Sequence, residues 1–418
     1  MHGQPTAEVV DQIKDIPIYR TSIERGHFPI LDKSEIARGF PDNWMTPGLT
    51  AALAAGEAEY VLSTGTNHAR MQIIRPPYFL LNSYYQLWSE HPDIAFTWEQ
   101  GCQRVSLTTV LATEHVARVN AKKRGAQPDP VPELDERRLD SRTVYLNLRL
   151  DPALWQRDEL ERMLSEIRAA QRAHPRGWYH LDCSGYHLAH LVLKAKQWGL
   201  WDDFPRPATI IHAYEYTPMN VRRFLRQHFA CPVIDLFGST ELGYLYYSDR
   251  HGRFHPHLDK MSVELLPVTP GSQIYSLIVS SVRNPYMPLI RYRSGDCVRT
   301  LDGTPAPDRI ARFCGREKEL LTPGTSGAAS RGPVAQGDLD DRVSGVSTSV
   351  FVHQLRVMCE TEARLSYTTF DGTALKPVEA LELADAVSDL IGRRCRVEHG
   401  AHIPIGKSGK YAWLATDH

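Results

Sequence analysis

Long apolar runs are missing from this 418-residue chain, and no stretch approaches the roughly 20 apolar residues that a membrane-spanning helix needs. An excess of one charge is missing too. The 48 Lys and Arg against 49 Asp and Glu leave a net charge of −1, too little for a global field that would draw nucleic acid or an anionic membrane. Cysteine is sparse and scattered. Its seven copies, at 102, 183, 231, 297, 314, 359 and 395, are odd in number and form no Cys-x-x-Cys pair, which excludes a disulfide framework and a zinc ribbon. Residues 1–20 alternate polar and apolar side chains and lack the apolar centre of a secretory leader. The expectation is a soluble protein of the reducing cytoplasm, with neither a nucleic-acid nor a membrane partner.

What is present is an ordinary globular composition, 42% apolar and 23% charged, in a chain long enough for two or three domains. From about residue 60 to 240, short apolar strands alternate with amphipathic helices. Strands are expected at 60–62, 145–150, 181–183, 209–211 and 233–236, and helices over 78–92, 107–121, 158–173 and 218–229. This alternation predicts an α/β fold, with parallel or mixed sheet covered by helices. Residues 261–301 read as successive strands. Residues 322–349, rich in Gly, Ser, Thr and Ala, read as a flexible linker or loop. Beyond them strand patterns and a helix over 377–393 make a small α+β unit. The division expected is therefore 1–318 and 319–418.

Ligands in such folds collect beyond the carboxyl ends of the strands, where four polar turns fall. Ser63-Thr64-Gly65-Thr66 offers hydroxyls and backbone N–H groups to an anion, although no Walker-type Gly-Lys-Ser/Thr follows this turn. Tyr186-His187 and Tyr214-Glu215 stand at such turns: the rings would make walls that suit a flat acid, and Glu215 could pair with an amino or hydroxyl substituent on it. Phe237-Gly238-Ser239-Thr240-Glu241 combines a ring, a bare backbone, two hydroxyls and a carboxylate, a set that suits a nucleotide and its metal. Seen alone it is more commonly a capped strand end. Asp296, after Gly295, could accept ribose hydroxyls or could stand in a hairpin turn. Lys410 sits on a glycine turn and could meet an oxyanion or be one more basic surface residue.

Five stretches stand in one order: Phe28 to Lys33, Ser63 to Asn67, Phe237 to Glu241, Pro288 to Asp296 with Gly315-Arg316, and Pro404 followed by Ser408-Gly409-Lys410. Together, over residues 28–413, they resemble the adenylate-forming superfamily of acyl-CoA synthetases, peptide-synthetase adenylation domains and luciferases, and within it the phenylacetate–CoA ligase branch. The resemblance implies a large core domain with a small mobile lid hinged at Glu319. It implies an AMP-forming ligase that makes an acyl-AMP from ATP and an aryl or arylalkanoic acid. CoA is then the expected acceptor, with a carrier-protein thiol or an amine as the alternative, and a homodimer is left open. By the same resemblance Ser63 to Thr66 would hold phosphate, Phe237 would stack on adenine and Thr240 would contact the adenylate. Glu241 would hold Mg²⁺, Asp296 the ribose, and Arg316 would lie close to the nucleotide. Lys410 would bridge the acid and the α-phosphate.

Departures from the family pattern are visible. His68, Ala69 and Arg70 follow the phosphate turn in place of Gly and Lys/Pro, and Trp413 stands where an arginine is usual. Arg312 replaces the first cysteine of the branch's Cys-x-Cys-Gly-Arg, leaving Cys314 with His255 and His257, so no zinc site is expected.

Overall fold

The computed structural model describes residues 4–62, 71–127, 129, 131–324 and 332–415. The chain divides into two compact units. One contains Met1–Trp88 and Phe237–Lys318, the other Ser89–Leu236 and Glu319–His418.

The second unit is built on five parallel strands. In spatial order they are Thr143–Tyr145, Gln103–Leu107, Tyr179–Cys183, Thr209–His212 and Val233–Ser239, the last of which carries the chain across into the first unit. The central strands are buried along their whole length, as expected for parallel strands covered on both faces. Helices Val110–Lys123, Arg157–Arg172, Gly185–Gln197 and Met219–His228 supply the cover. Arg157–Arg172 shows why: Leu160, Met163, Leu164, Ile167 and Ala170 recur at helical spacing and are buried, and a Gln156–Glu159 capping box starts the helix. The same unit contains a small sheet, Val350–Val357, Glu362–Thr369 and Arg394–His399, with helices Gln336–Val346 and Pro377–Ile391. One hydrophobic core runs through both sheets, from Leu181 and Leu188 to Phe351, Leu365 and Leu383. Phe224 stacks on Phe370 with centroids 4.6 Å apart, and Asn220 Nδ2 donates to the carbonyls of Ser347 and Val350. Residues 319–418 thus share a core with Ser89–Leu236, and the chain changes unit between Lys318 and Glu319.

The first unit has a four-stranded antiparallel sheet, ordered Met261–Pro267, Ile274–Ser281, Leu289–Thr300 and Ile310–Arg316. A two-stranded pair, Glu59–Leu62 with Gln72–Arg75, lies in the same unit, as does the hairpin Gly243–Ser248 with Phe254–Pro256. Its core gathers Tyr19, Trp44, Ile73, Leu277 and Tyr292.

Four elements differ from the sequence expectation. The strand expected over 145–150 is Thr143–Tyr145 alone. Its continuation leaves the ladder because Asn147 turns its side chain to the Thr108 carbonyl and Asp151 caps a 3₁₀ turn. The supposed linker contains the helix Gln336–Val346, whose Leu339 and Val343 are buried; small residues diluted a helical spacing that is nevertheless there. Asp296, for which a hairpin turn was one reading, lies instead within the long strand Leu289–Thr300. The strand Gln103–Leu107 was hidden by its own mixture, Gln-Arg-Val-Ser-Leu, in which Arg104 and Ser106 are buried. Among the described residues, no helix is long and apolar enough to cross a membrane.

Candidate active site

In the first unit, the segment Phe28–Asp32 runs beside the strand Leu289–Thr300. Leu31 N donates to the Arg291 carbonyl at 3.0 Å, and Arg293 N donates to the Leu31 carbonyl at 2.8 Å. Asp32 then caps the helix Lys33–Ala37, with Glu35 completing a capping box. This fixes Lys33 at the first helical position, and its Nζ lies 2.8 Å from Glu241 Oε1. Tyr292 OH donates to the same oxygen at 3.3 Å. Glu241 is buried, with 4% of its side chain exposed. Burial works to raise its pKa, but the charge and hydrogen bond of Lys33 outweigh it and hold the carboxyl below its ordinary value. Lys33 and Tyr292 were not picked out from the sequence. The signal for Lys33 was its place in the Phe28–Lys33 motif, to which no role had been attached.

Asp296 faces Arg316 across neighbouring strands. Arg316 Nη1 donates to Asp296 Oδ2 at 3.2 Å and to the Ser294 carbonyl at 3.2 Å. The strand passes straight through this point, and Gly295 (φ +78°) marks an irregularity in it rather than a hairpin. Burial pushes the Asp296 carboxyl above its ordinary value, Arg316 opposes this, and the nearby Glu241 charge adds to it. The two ion pairs therefore form one electrostatic cluster.

Phe237 stacks face to face on Phe313, with centroids 3.7 Å apart and planes 13° apart. One face of its ring is therefore covered by the protein. Gly238 is required by the neighbouring strand, since an added Cβ would lie 2.8 Å from Tyr244 Cα. Ser239 Oγ accepts from Leu242 N at 3.3 Å, which shapes the Thr240-Glu241 turn. Ser63, Thr64, Gly65 and Thr66 lie outside the described residues, as do His68 and Arg70.

The remaining expected residues belong to the second unit. Ser184 Oγ donates to Glu215 Oε1, and Tyr411 N donates to Glu215 Oε2 at 2.8 Å. Because the Ser184 hydroxyl proton goes to Glu215, its oxygen must accept from His187 Nδ1, 2.9 Å away, which places the His187 proton on Nδ1. His187 is fully buried, and its Nε2 has no hydrogen-bond partner among the described residues. Tyr186 is buried as well, near-parallel to Phe351 and Tyr411 with centroids 6.0 Å from each. Tyr214, at φ +79°, directs its hydroxyl to Asp182 Oδ2 at 2.6 Å, an oxygen also held by Arg104 and Ser106. The turn that carries Lys410 lies against the carboxyl ends of these parallel strands. An added Cβ on Gly409 would be 3.1 Å from Thr109 Cβ, and Glu215 holds Tyr411.

A divalent ion was expected at Glu241. Among the described residues no group of three or more His, Cys, Asp or Glu is arranged to hold a metal. A single buried carboxylate is nevertheless a donor set that fits Mg²⁺, which takes one or two carboxylates together with phosphate oxygens and water. His255 lies 3.3 Å from Asp249 and stacks on Tyr247.

No family model matches the chain. A phenylacetate-coenzyme A ligase of Pseudomonas putida is 27% identical over 118 residues, 24% of this chain and 26% of that ligase's length. Likeness to solved structures extends much further. A 2-hydroxyisobutyryl-CoA ligase in the postadenylation state superposes with a TM-score of 0.65 at 13% identity, over 98% of this chain and 87% of that one. A benzoate CoA ligase from Burkholderia xenovorans LB400 gives 0.54 at 14% identity, over 84% and 67%. An anthranilate CoA ligase with anthranoyl-AMP gives 0.55 at 12% identity, over 84% and 65%. The parallel sheet, the antiparallel sheet and the small α+β segment carrying Lys410 thus make the fold of these CoA ligases.

Proposed function

We propose that this protein activates a carboxylic acid with ATP, releasing pyrophosphate, and passes the acyl group from the acyl-AMP to CoA. The observation that carries this reading is the buried charged cluster of Lys33, Glu241, Asp296 and Arg316, in a fold shared with acyl-CoA ligases. Within it, Glu241 is a buried carboxylate whose charge is kept by a lysine (26% exposed) that solvent can reach. Perturbed, paired carboxylates of this kind are common at functional sites.

In this reading a carboxylate oxygen of the acid attacks the α-phosphorus of ATP, and the bond from that phosphorus to the bridging oxygen breaks. Negative charge builds on the transferring group, so preorganised donors and cations are what the protein must supply. Asp296 accepts the ribose hydroxyls, and the face of Phe237 turned away from Phe313 receives adenine. Thr240 donates to the phosphate, and the Lys410 ammonium bridges acid and α-phosphate. Glu241 is the residue that would hold Mg²⁺, which when bound supplies positive charge to the triphosphate. Residues 63–66 are the proposed phosphate turn. In the second half-reaction a thiol attacks the acyl carbonyl and AMP leaves, after residues 319–418 have moved about Glu319.

An aryl acid is the finer proposal. It is supported by the partial likeness to the phenylacetate ligase and by the aromatic residues Tyr186 and Tyr214 near the strand ends. Pyrophosphate release should be measured with ATP and Mg²⁺ across aryl and short hydroxy acids, with and without CoA. Release with an aryl acid and formation of its CoA thioester is the expected result. No release with any acid would overturn the enzyme reading, and an acyl-AMP that never reacts with CoA would move the acceptor to a carrier thiol or an amine. Lys410→Ala should lower adenylation at least 100-fold while ATP still binds; unchanged adenylation would remove Lys410 from the mechanism.

A further inference from the structure

Glu215 stands where a residue contacting the acid was expected, yet both of its carboxylate oxygens are taken by the protein. Oε1 accepts the Ser184 hydroxyl and Oε2 accepts the backbone N–H of Tyr411 at 2.8 Å. Only 5% of its side chain is exposed. Ser184 is itself fixed, since it caps the helix Gly185–Gln197 through His187 N. Glu215 is therefore a rigid mount at the carboxyl end of the strand Thr209–His212. What it holds is the residue next to Lys410. We infer that Glu215 is a positioning residue for Lys410: its carboxylate fastens the Lys410 turn in the arrangement needed for adenylation and must release it before that turn can move away. This rests on the proposed role of Lys410.

The rest of the turn explains why this contact matters. On its other side the segment is tied to the small sheet. Tyr411 OH bonds with the backbone of His353, Gln354 Nε2 donates to the Ala412 carbonyl at 2.9 Å, and Leu355 N donates to the Trp413 carbonyl at 2.7 Å. Those ties travel with residues 319–418 if they move. The bond to Glu215 does not, because Glu215 belongs to the segment Ser89–Leu236. A charge-assisted bond from a buried carboxylate to a backbone N–H is roughly twice as strong as a neutral one. Its loss leaves Glu215 with one donor fewer in a site of low exposure, which favours the docked state.

Two substitutions separate this role from substrate contact. In Glu215→Gln the side-chain carbonyl can still accept from Tyr411 N, and the amide can donate to Ser184 Oγ if the His187 proton moves to Nε2. In Glu215→Ala nothing accepts. Amide hydrogen exchange in a peptide covering 406–413 and the kinetics of pyrophosphate release are the two readouts. Glu215→Gln should leave exchange unchanged and kcat within about threefold of the parent. Glu215→Ala should speed exchange and lower kcat at least 10-fold, with KM for the acid unchanged. Unchanged exchange and kcat in Glu215→Ala would overturn the proposal. So would a raised KM for the acid in Glu215→Gln, which would mean that the carboxylate touches substrate. Should Glu215→Ala fail to fold, Glu215→Gln alone decides, retention supporting and loss overturning. If Lys410→Ala leaves adenylation intact, the reading of Lys410 fails, and the exchange data still report whether Glu215 holds the turn.

Discussion

Removing the charge of Lys33 tests the first-unit cluster directly. In Lys33→Met the aliphatic stem remains and the ammonium 2.8 Å from Glu241 is lost. Breaking a buried pair from one side costs about 3–5 kcal/mol, because a charge is left uncompensated. Tyr292 still donates to Glu241 and Lys33 is partly exposed, so the lower end, about 3 kcal/mol, is expected at pH 7.5. For a unit of this size that is a fall of roughly 6–12 °C in Tm. The pH dependence carries the argument. In the parent, Glu241 titrates below its ordinary value, so its contribution is in place at neutral pH and fades only as pH falls through that lowered value. Without Lys33, burial outweighs the remaining hydrogen bonds and its pKa rises; the penalty is then present at neutral pH and disappears as acid protonates it. The deficit should shrink to about 1 kcal/mol or less by pH 5. Scanning calorimetry without nucleotide, at pH 5 and 7.5, reads this, and Lys33→Met with Glu241→Gln should recover most of the loss. A deficit equal at both pH values, or none at pH 7.5, would refute the reasoning.

Asp340 should behave in the opposite sense. Burial pushes its carboxyl up to about 6 although Tyr216 OH and Met219 N both donate to it, so its contribution is greatest at acid pH and is lost as pH rises through about 6. Asp340→Asn should raise stability by about 1–2 kcal/mol at pH 8 and by nothing at pH 4, read as the difference in Tm. Gly238→Ala should lower the Tm of the first unit by an amount equivalent to about 3 kcal/mol or more, since backbone rather than a mobile side chain meets the new Cβ; a Tm within 2 °C of the parent would show that the two strands separate easily.

Much of the architecture was readable because it rests on period and punctuation. The helix Arg157–Arg172 announces itself by Leu160, Met163, Leu164 and Ile167, and Pro377 opens the last helix at its first turn. What could not be read is what depends on partners distant in sequence. Lys33 meets Glu241 across two hundred residues, and only the docking of Leu31 beside Tyr292 makes them neighbours. Glu215 looked like a ligand for a substituent because a lone carboxylate at a strand end carries no mark of the Tyr411 amide it will bond. Phe237 was legible as an aromatic, but its partner Phe313 was not. The helix Gln336–Val346 was missed for a compositional reason, since Gly, Ser and Asp surround the two residues that bury it.

The chain passes between its units three times, after residues 88, 236 and 318. Tyr19 OH donates to the Pro288 carbonyl and accepts from Ile290 N, closing contacts across 269 and 271 positions. On a ribosome adding about 5–20 residues per second, Tyr19 waits on the order of tens of seconds for those partners. The other unit is completed later in synthesis, because the core around Tyr186 needs Phe351 and Tyr411. During that interval both half-built cores show apolar surface to the cell. Yield in a cell should therefore follow chaperone supply and translation speed more closely than the stability of the finished fold, and cutting the gene after residue 236 should give two fragments, neither of which can complete a core.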